Sequence, residues 1–254
     1  MTFSTLLDVR GLSKIFGAVT AASDISISVS PGEVVGIVGA NGAGKTVFVN
    51  LITGYVKPTA GTVLLQGQDI TLLQPRQITR LGICRSFQVS QLFMNMTVFE
   101  NLLLALSIIR ASEVNLLSNI RSSKNIAEVE QMLENFRLQD RCNQPVRELS
   151  QGLRKLLDIA MAMVSNQKIL MLDEPTSGIS TEEKFDFMEA VMDALAKTSV
   201  TMFIIEHDMD IIQRFVSRVL AFAQGRIVCD AAPQDALRNP QVVQYVLGAN
   251  GALD

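Results

Sequence analysis

The amino-acid sequence predicts an α/β fold: a core built on a parallel sheet, an N-terminal antiparallel β subdomain and an inserted α-helical subdomain. Three observations lead there. Apolar, strand-length runs at 168–172, 200–205 and 219–223 alternate with helical stretches, as in a parallel sheet covered on both faces. Residues 6–29 alternate and carry Ser, Val and Ile, the pattern of antiparallel strands. From about 91 to 148 the apolar period becomes helical. There Val98, Leu102, Ala105, Leu106 and Ile109 share one face, and Val129, Met132, Leu133 and Phe136 share another. The expected division is a core made of 1–88 and 150–254, with the helical subdomain at 89–149.

The elements follow in order. Pro31-Gly32 is a turn that leads into an apolar strand at 34–38. The strand runs into Gly39-Ala40-Asn41-Gly42-Ala43-Gly44-Lys45-Thr46, and a helix is expected from there to about Gly54. Pro58 and Gly61 mark another turn before a short strand at 62–65. The stretch 107–125 is polar and rich in Ser and Asn, and reads as a connection between two helices. No internal repeat is visible.

The glycine, four residues, Gly-Lys-Thr spacing is that of the phosphate-binding loop (P-loop) of nucleotide-hydrolysing proteins. Glycines let the backbone wrap closely and aim its N–H groups inward as an anion nest. The helix that starts near Lys45 adds the positive end of its dipole. Lys45 can reach β- and γ-phosphates, and the Thr46 hydroxyl can ligate Mg²⁺. A plain Gly-rich turn is the competing reading; the strand-loop-helix context argues against it.

Leu170-Met171-Leu172-Asp173-Glu174-Pro175 is an apolar strand ending in two carboxylates. Asp173 can hold Mg²⁺, directly or through water, and Glu174 can orient or deprotonate an attacking water. Taken alone the pair could be an acidic helix cap. His207 is the one histidine and follows the strand at 200–205, where ligands of α/β sheets bind. A γ-phosphate contact is favoured there over a structural or surface role. Gln88 lies where core passes to helical block; its amide could meet Mg²⁺ or the catalytic water, or it could be a polar linker residue. Phe16 could stack on adenine, or fill the core of an N-terminal hairpin. In Leu149-Ser150-Gln151-Gly152-Leu153, Ser150 and Gly152 open a helix and could face an anion, or Ser150 could simply cap it.

Composition sets limits. The 254 residues can bury a large core, and 48% are hydrophobic. That suits buried parallel strands, or a subunit that docks onto something larger. A net charge of −3 leaves no basic excess for binding nucleic acid. No apolar run is long enough to span a bilayer, and no secretory signal is visible. Cys84, Cys142 and Cys229 show neither disulfide-framework nor zinc spacing, as expected of thiols in a reducing compartment.

The ordered set of P-loop, Gln88, Leu-Ser-x-Gly, Asp173-Glu174-Pro175 and His207 resembles the ATP-binding cassette (ABC) family, from Phe16 to the tail. Within that family the chain is similar to the cytoplasmic ATPase subunits of branched-chain amino acid importers. The narrower likeness rests on three stretches: Arg85-Ser86-Phe87-Gln88 followed by Leu92-Phe93, Ile205-Glu206-His207-Asp208-Met209, and the tail from Asn239-Pro240 to Tyr245-Val246-Leu247-Gly248.

The resemblance implies hydrolysis of ATP with Mg²⁺ by a head-to-tail dimer of cassettes. Phe16 and the loop Gly39, Asn41, Gly42, Ala43, Gly44, Lys45, Thr46 and Val47 of one subunit would hold the nucleotide. Ser150 and Gly152 of the other would close over it. Thr46, Gln88 and Asp173 would surround the metal, and Lys45, Gln88, Glu174 and His207 the reacting phosphate. The region from Gln88 to Asn101 would receive a coupling helix from one of two permease subunits at the cytoplasmic face of the plasma membrane. A separate binding protein and the pore would choose the cargo. Gln151 and Leu153 replace the usual Gly and Gln, Val47 a second Thr, and Ser180 an Asp or Asn. The remaining residues still imply an active, if slow, ATPase. Competing readings are the ATPase of a lipid or lipopolysaccharide exporter and a soluble cassette without transport. No Asn-Lys-x-Asp segment is present, which argues against a GTPase.

Overall fold

The computed structural model describes residues 5–85, 92–111, 121–164 and 167–247. In chain order its first elements are β1 (Leu7–Phe16), β2 (Val19–Val29), β3 (Val34–Gly39), α1 (Lys45–Ile52), β4 (Ala60–Leu65), β5 (Gln68–Asp69), α2 (Pro75–Arg80) and β6 (Ile83–Arg85). Then come α3 (Val98–Ala111), α4 (Ser123–Asn135), α5 (Gln151–Met163), β7 (Ile169–Asp173) and α6 (Lys184–Ala196). Then follow β8 (Thr201–Ile205), α7 (Met209–Phe215), β9 (Arg218–Ala223), β10 (Arg226–Ala231) and α8 (Pro233–Arg238), before short helical turns at Pro240–Val242 and Val243–Leu247. No helix among the described residues is long and apolar enough to cross a membrane.

The chain forms two compact units, one of 1–85, 168–174 and 199–254, the other of 86–167 and 175–198. By contact α5 and α6 fall within the second, helical unit.

The first unit holds both sheets. Strand order is β2-β1-β4-β5 in the antiparallel sheet and β10-β9-β3-β8-β7-β6 in the larger one. The larger sheet is parallel from β9 to β6, with β10 antiparallel at one edge. Burial explains the difference in sequence pattern. In β2, Ile25, Ile27 and Val29 point inward while Ser26 and Ser28 are exposed. Every residue of β8, and Ile169 to Leu172 of β7, is buried, because both faces are covered. Leu7, Val9, Ile25 and Val63 join Phe48, Ile52, Phe203 and Phe222 in one hydrophobic core. Phe48 of α1 meets Phe222 of β9 with ring centroids 5.2 Å apart, tilted 44°. Such a pair is worth about 0.5–1.5 kcal/mol beyond its burial, and it fixes α1 on the sheet.

In the second unit α3 packs on α4 and α5, and α5 on α6. Leu102, Leu106, Val129, Leu133 and Phe136 are buried, as their helical spacing predicts. The polar connection proves shorter than expected. Ser107 stays inside α3, its hydroxyl donating to the Leu103 carbonyl at 2.7 Å, and the helix runs on to Ala111. α4 starts at Ser123, where the Ser122 hydroxyl accepts from the Asn125 N–H at 3.3 Å.

Candidate active site

In the loop between β3 and α1, close contacts leave no room for side chains at Gly39 and Gly44. A Cβ on Gly39 would lie 2.5 Å from the Phe222 carbonyl oxygen. Gly44 has φ 106°, and its Cβ would meet the Ala21 oxygen at 2.9 Å. The β9–β10 turn braces the loop from behind, because the Gly225 N–H donates to the Ala43 carbonyl at 2.9 Å. Lys45 is buried, and its Nζ donates to the carbonyls of Gly39 and, at 3.1 Å, of Ala40. Burial pulls the pKa of this ammonium down, and the carboxylates of Glu174 and Asp173 oppose the shift. Asn41, Gly42 and Thr46 are exposed, so the Thr46 hydroxyl is open to a ligand. Ala43 is buried and Val47 packs against the core, so these two can serve the cradle only through their backbones.

Asp173 ends β7 and pairs in register with Ile205 of β8. Glu174 carries this pairing one residue further, its N–H donating to the Ile205 carbonyl at 2.9 Å. Its φ of 49° is left-handed, a strained conformation for a residue with a side chain. Two residues past β8 stands His207, with Nε2 3.3 Å from Glu174 Oε1. The His207 N–H donates to the buried Glu206 carboxylate at 3.1 Å. Lys45, Asp173, Glu174 and His207 thus gather at the carboxyl end of the parallel sheet, where such folds bind ligands. Oxygen donors from Thr46 and Asp173 suit a hard cation such as Mg²⁺. Among the described residues no cluster of three or more His, Cys, Asp or Glu could hold a metal.

Phe16 ends β1 and is 47% exposed, so it is not the core residue that the hairpin reading offered. Lys14 Nζ lies 4.9 Å from its ring centroid. Gln88 lies outside the described residues. In the helical unit the Ser150 hydroxyl accepts from the Leu153 N–H at 3.4 Å, so Ser150 does cap α5. Gln151 lies against the turn after Pro175: a Cβ on Gly178 would sit 2.4 Å from its Nε2.

Sequence reasoning missed three contributors. Arg85 ends β6 and donates through Nη2 to Asp173 Oδ2 and through Nη1 to Asn50 Oδ1 at 2.8 Å. Glu206 is buried beneath His207. Gly225 supports the phosphate loop. Arg85 belongs to the Arg85-Ser86-Phe87-Gln88 stretch, but nothing in one dimension shows its partners.

The chain is similar to known proteins along most of its length. The family model described as ABC transporter matches residues 22–177. The high-affinity branched-chain amino acid transport ATP-binding protein LivG of Escherichia coli is 34% identical over 251 residues, covering 96% of this chain and 98% of that protein. A nucleotide-free ATP-binding cassette from an ABC transporter superposes with a TM-score of 0.81 at 31% identity, over 94% of this chain and 98% of that one. The ADP conformation of the cassette MJ1267 gives 0.82 at 30% identity, over 94% and 97%. The family model over residues 22–177 and a relative 34% identical over 96% of the chain show that the chain belongs to the ABC transporter family, as one of its ATPase cassettes.

Proposed function

We propose that this chain is the Mg²⁺-dependent ATPase subunit of an importer for a small solute of the branched-chain amino acid class. It would work as a dimer of cassettes on two permease subunits at the cytoplasmic face of the membrane. The convergence of Lys45, Asp173, Glu174 and His207 at one end of the sheet carries the chemical part. The 34% identity to LivG over 96% of the chain supports the transport part.

The phosphate loop and the first turn of α1 bind the β- and γ-phosphates with backbone N–H groups and the Lys45 ammonium. A Mg²⁺ held by Thr46, Asp173 and, on the family resemblance, Gln88 would supply charge neutralisation at the phosphate oxygens. Glu174 takes a proton from the attacking water as the bond between the γ-phosphorus and the bridging oxygen breaks. His207, bonded to Glu174, orients that carboxylate and faces the transferred phosphoryl group. Phe16 stacks on the adenine. Ser150 and Gly152 of the partner cassette close the site from the γ-phosphate side. Closure with ATP and reopening after hydrolysis supply the two states that a pump needs.

Docking to a permease is supported by Phe93 and Met94, both exposed. Asn101, fully buried, holds the turn beneath them through the Phe93 N–H at 2.9 Å, the Phe93 carbonyl at 3.1 Å and the Thr97 carbonyl at 2.9 Å. Purification of the tagged chain from its native membrane tests the proposal. Two multi-span proteins should accompany it, and leucine uptake by vesicles containing the complex should need ATP. A purely soluble complex would overturn the transport reading.

A further inference from the structure

We propose that Arg85 is the resident counter-cation of Asp173, and that it sets how strongly nucleotide binding depends on Mg²⁺. The inference rests on Asp173 being the metal-side carboxylate of the proposed ATPase site. The Asp173 side chain is 11% exposed and that of Arg85 18%. A carboxylate at this depth is costly without a partner, and Arg85 is bonded directly to it. The guanidinium is itself fixed at two points, Asp173 on β7 and Asn50 on α1. Register places Arg85 beside Met171, two residues before Asp173, so its planar fork spans from strand to helix. One face of the fork bonds the carboxylate while the other bonds the Asn50 amide, which an ammonium point charge cannot match.

The consequence is electrostatic. A fixed positive charge in contact with Asp173 offsets the negative charge that would draw in a divalent ion. It therefore weakens the hold on Mg²⁺ and lessens the repulsion felt by a metal-free nucleotide. With Arg85 neutralised, Asp173 would repel the phosphates until Mg²⁺ arrived. Nucleotide binding should then lean much harder on the metal. Arg85 acts by its charge beside Asp173, so it is a positioning residue.

The test is calorimetric affinity for ADP, measured with Mg²⁺ and with EDTA, the ratio being the Mg²⁺ enhancement. ADP keeps hydrolysis out of the readout. In Arg85→Gln the ratio should rise on the order of tenfold, mainly through weaker binding in EDTA. Arg85→Lys, which keeps the charge, should stay near the wild-type ratio. A merely structural role would weaken both affinities together and leave the ratio unchanged; an unchanged or smaller ratio overturns the proposal. If Arg85→Gln does not fold, Asp173→Asn with and without Arg85→Gln serves instead, since the doubly neutral pair leaves no buried charge. The double variant, which lacks the cation, should show the larger enhancement, and equal enhancements overturn the proposal. A wild-type chain that binds no ADP in any condition would defeat the ATPase reading itself, a separate outcome.

Discussion

His207 Nε2 lies 3.3 Å from Glu174 Oε1, and the two residues stand just past the ends of the adjacent parallel strands β8 and β7. The distance is set by backbone. The bond from Glu174 N–H to the Ile205 carbonyl extends the strand pairing, and the left-handed φ of Glu174 turns its side chain across towards His207. Replacing Glu174 by Gln keeps shape and removes the base. Hydrolysis should fall by about 10²–10⁴, with Mg-ATP affinity retained. Single-turnover hydrolysis alongside equilibrium binding checks this; wild-type turnover in the variant would remove Glu174 from the base role.

His207→Ala takes away the partner that orients Glu174. The turnover rate should drop at least tenfold while KM changes little, because the contact acts on the reacting phosphate and not on the rest of the nucleotide. A variant with raised KM and unchanged kcat would put His207 in ground-state binding.

Phe16 is half exposed at the end of β1, so its ring does not hold the core together. Phe16→Ala should therefore leave the melting temperature unchanged and weaken ATP by about 1–3 kcal/mol, the worth of one base–aromatic stack. Unchanged ATP affinity would refute the stacking role.

Lys45 gives a pH signature. Burial lowers its pKa in the folded chain, so it loses its proton before a lysine of the unfolded chain does. Between those two pKa values the unfolded state binds more protons. Stability from this residue therefore rises with pH across the window. Triphosphate binding needs the ammonium and should weaken across the same window. ATP affinity measured from neutral to alkaline pH should begin to fall below the ordinary lysine range, and Lys45→Arg should remove that decline.

Phe222 links the phosphate-loop helix to the sheet through Phe48 and forbids a side chain at Gly39. Phe222→Ala should cost about 3–5 kcal/mol of folding stability, read by denaturant unfolding. Nucleotide affinity should fall as well, because α1 loses its seat.

Much of this was legible in one dimension, for physical reasons. The loop from Gly39 to Thr46 demands fixed residue types at fixed spacing, and β7 and β8 announce themselves by the apolar runs 169–172 and 202–205 because both faces are covered. The N-terminal alternation became β1 and β2, with serines outward. β5 and β6 were missed because two or three residues carry no period. β10 is an edge strand with mixed exposure, and α2 is a single short helix begun by Pro75. Ser107 read as loop, yet its hydroxyl bonds back to Leu103 and the helix absorbs it. The Arg85, Asn50 and Asp173 cluster joins residues far apart in the chain, so only the fold could assemble it.

In the proposed mechanism the loop around Lys45 grips the triphosphate of Mg-ATP. Titration calorimetry of the intact chain with Mg-ATP, beside Lys45→Ala, tests it most directly. Saturable binding to the wild type and near-complete loss in the variant are expected. Equal heats from both proteins, or none from either, would contradict it.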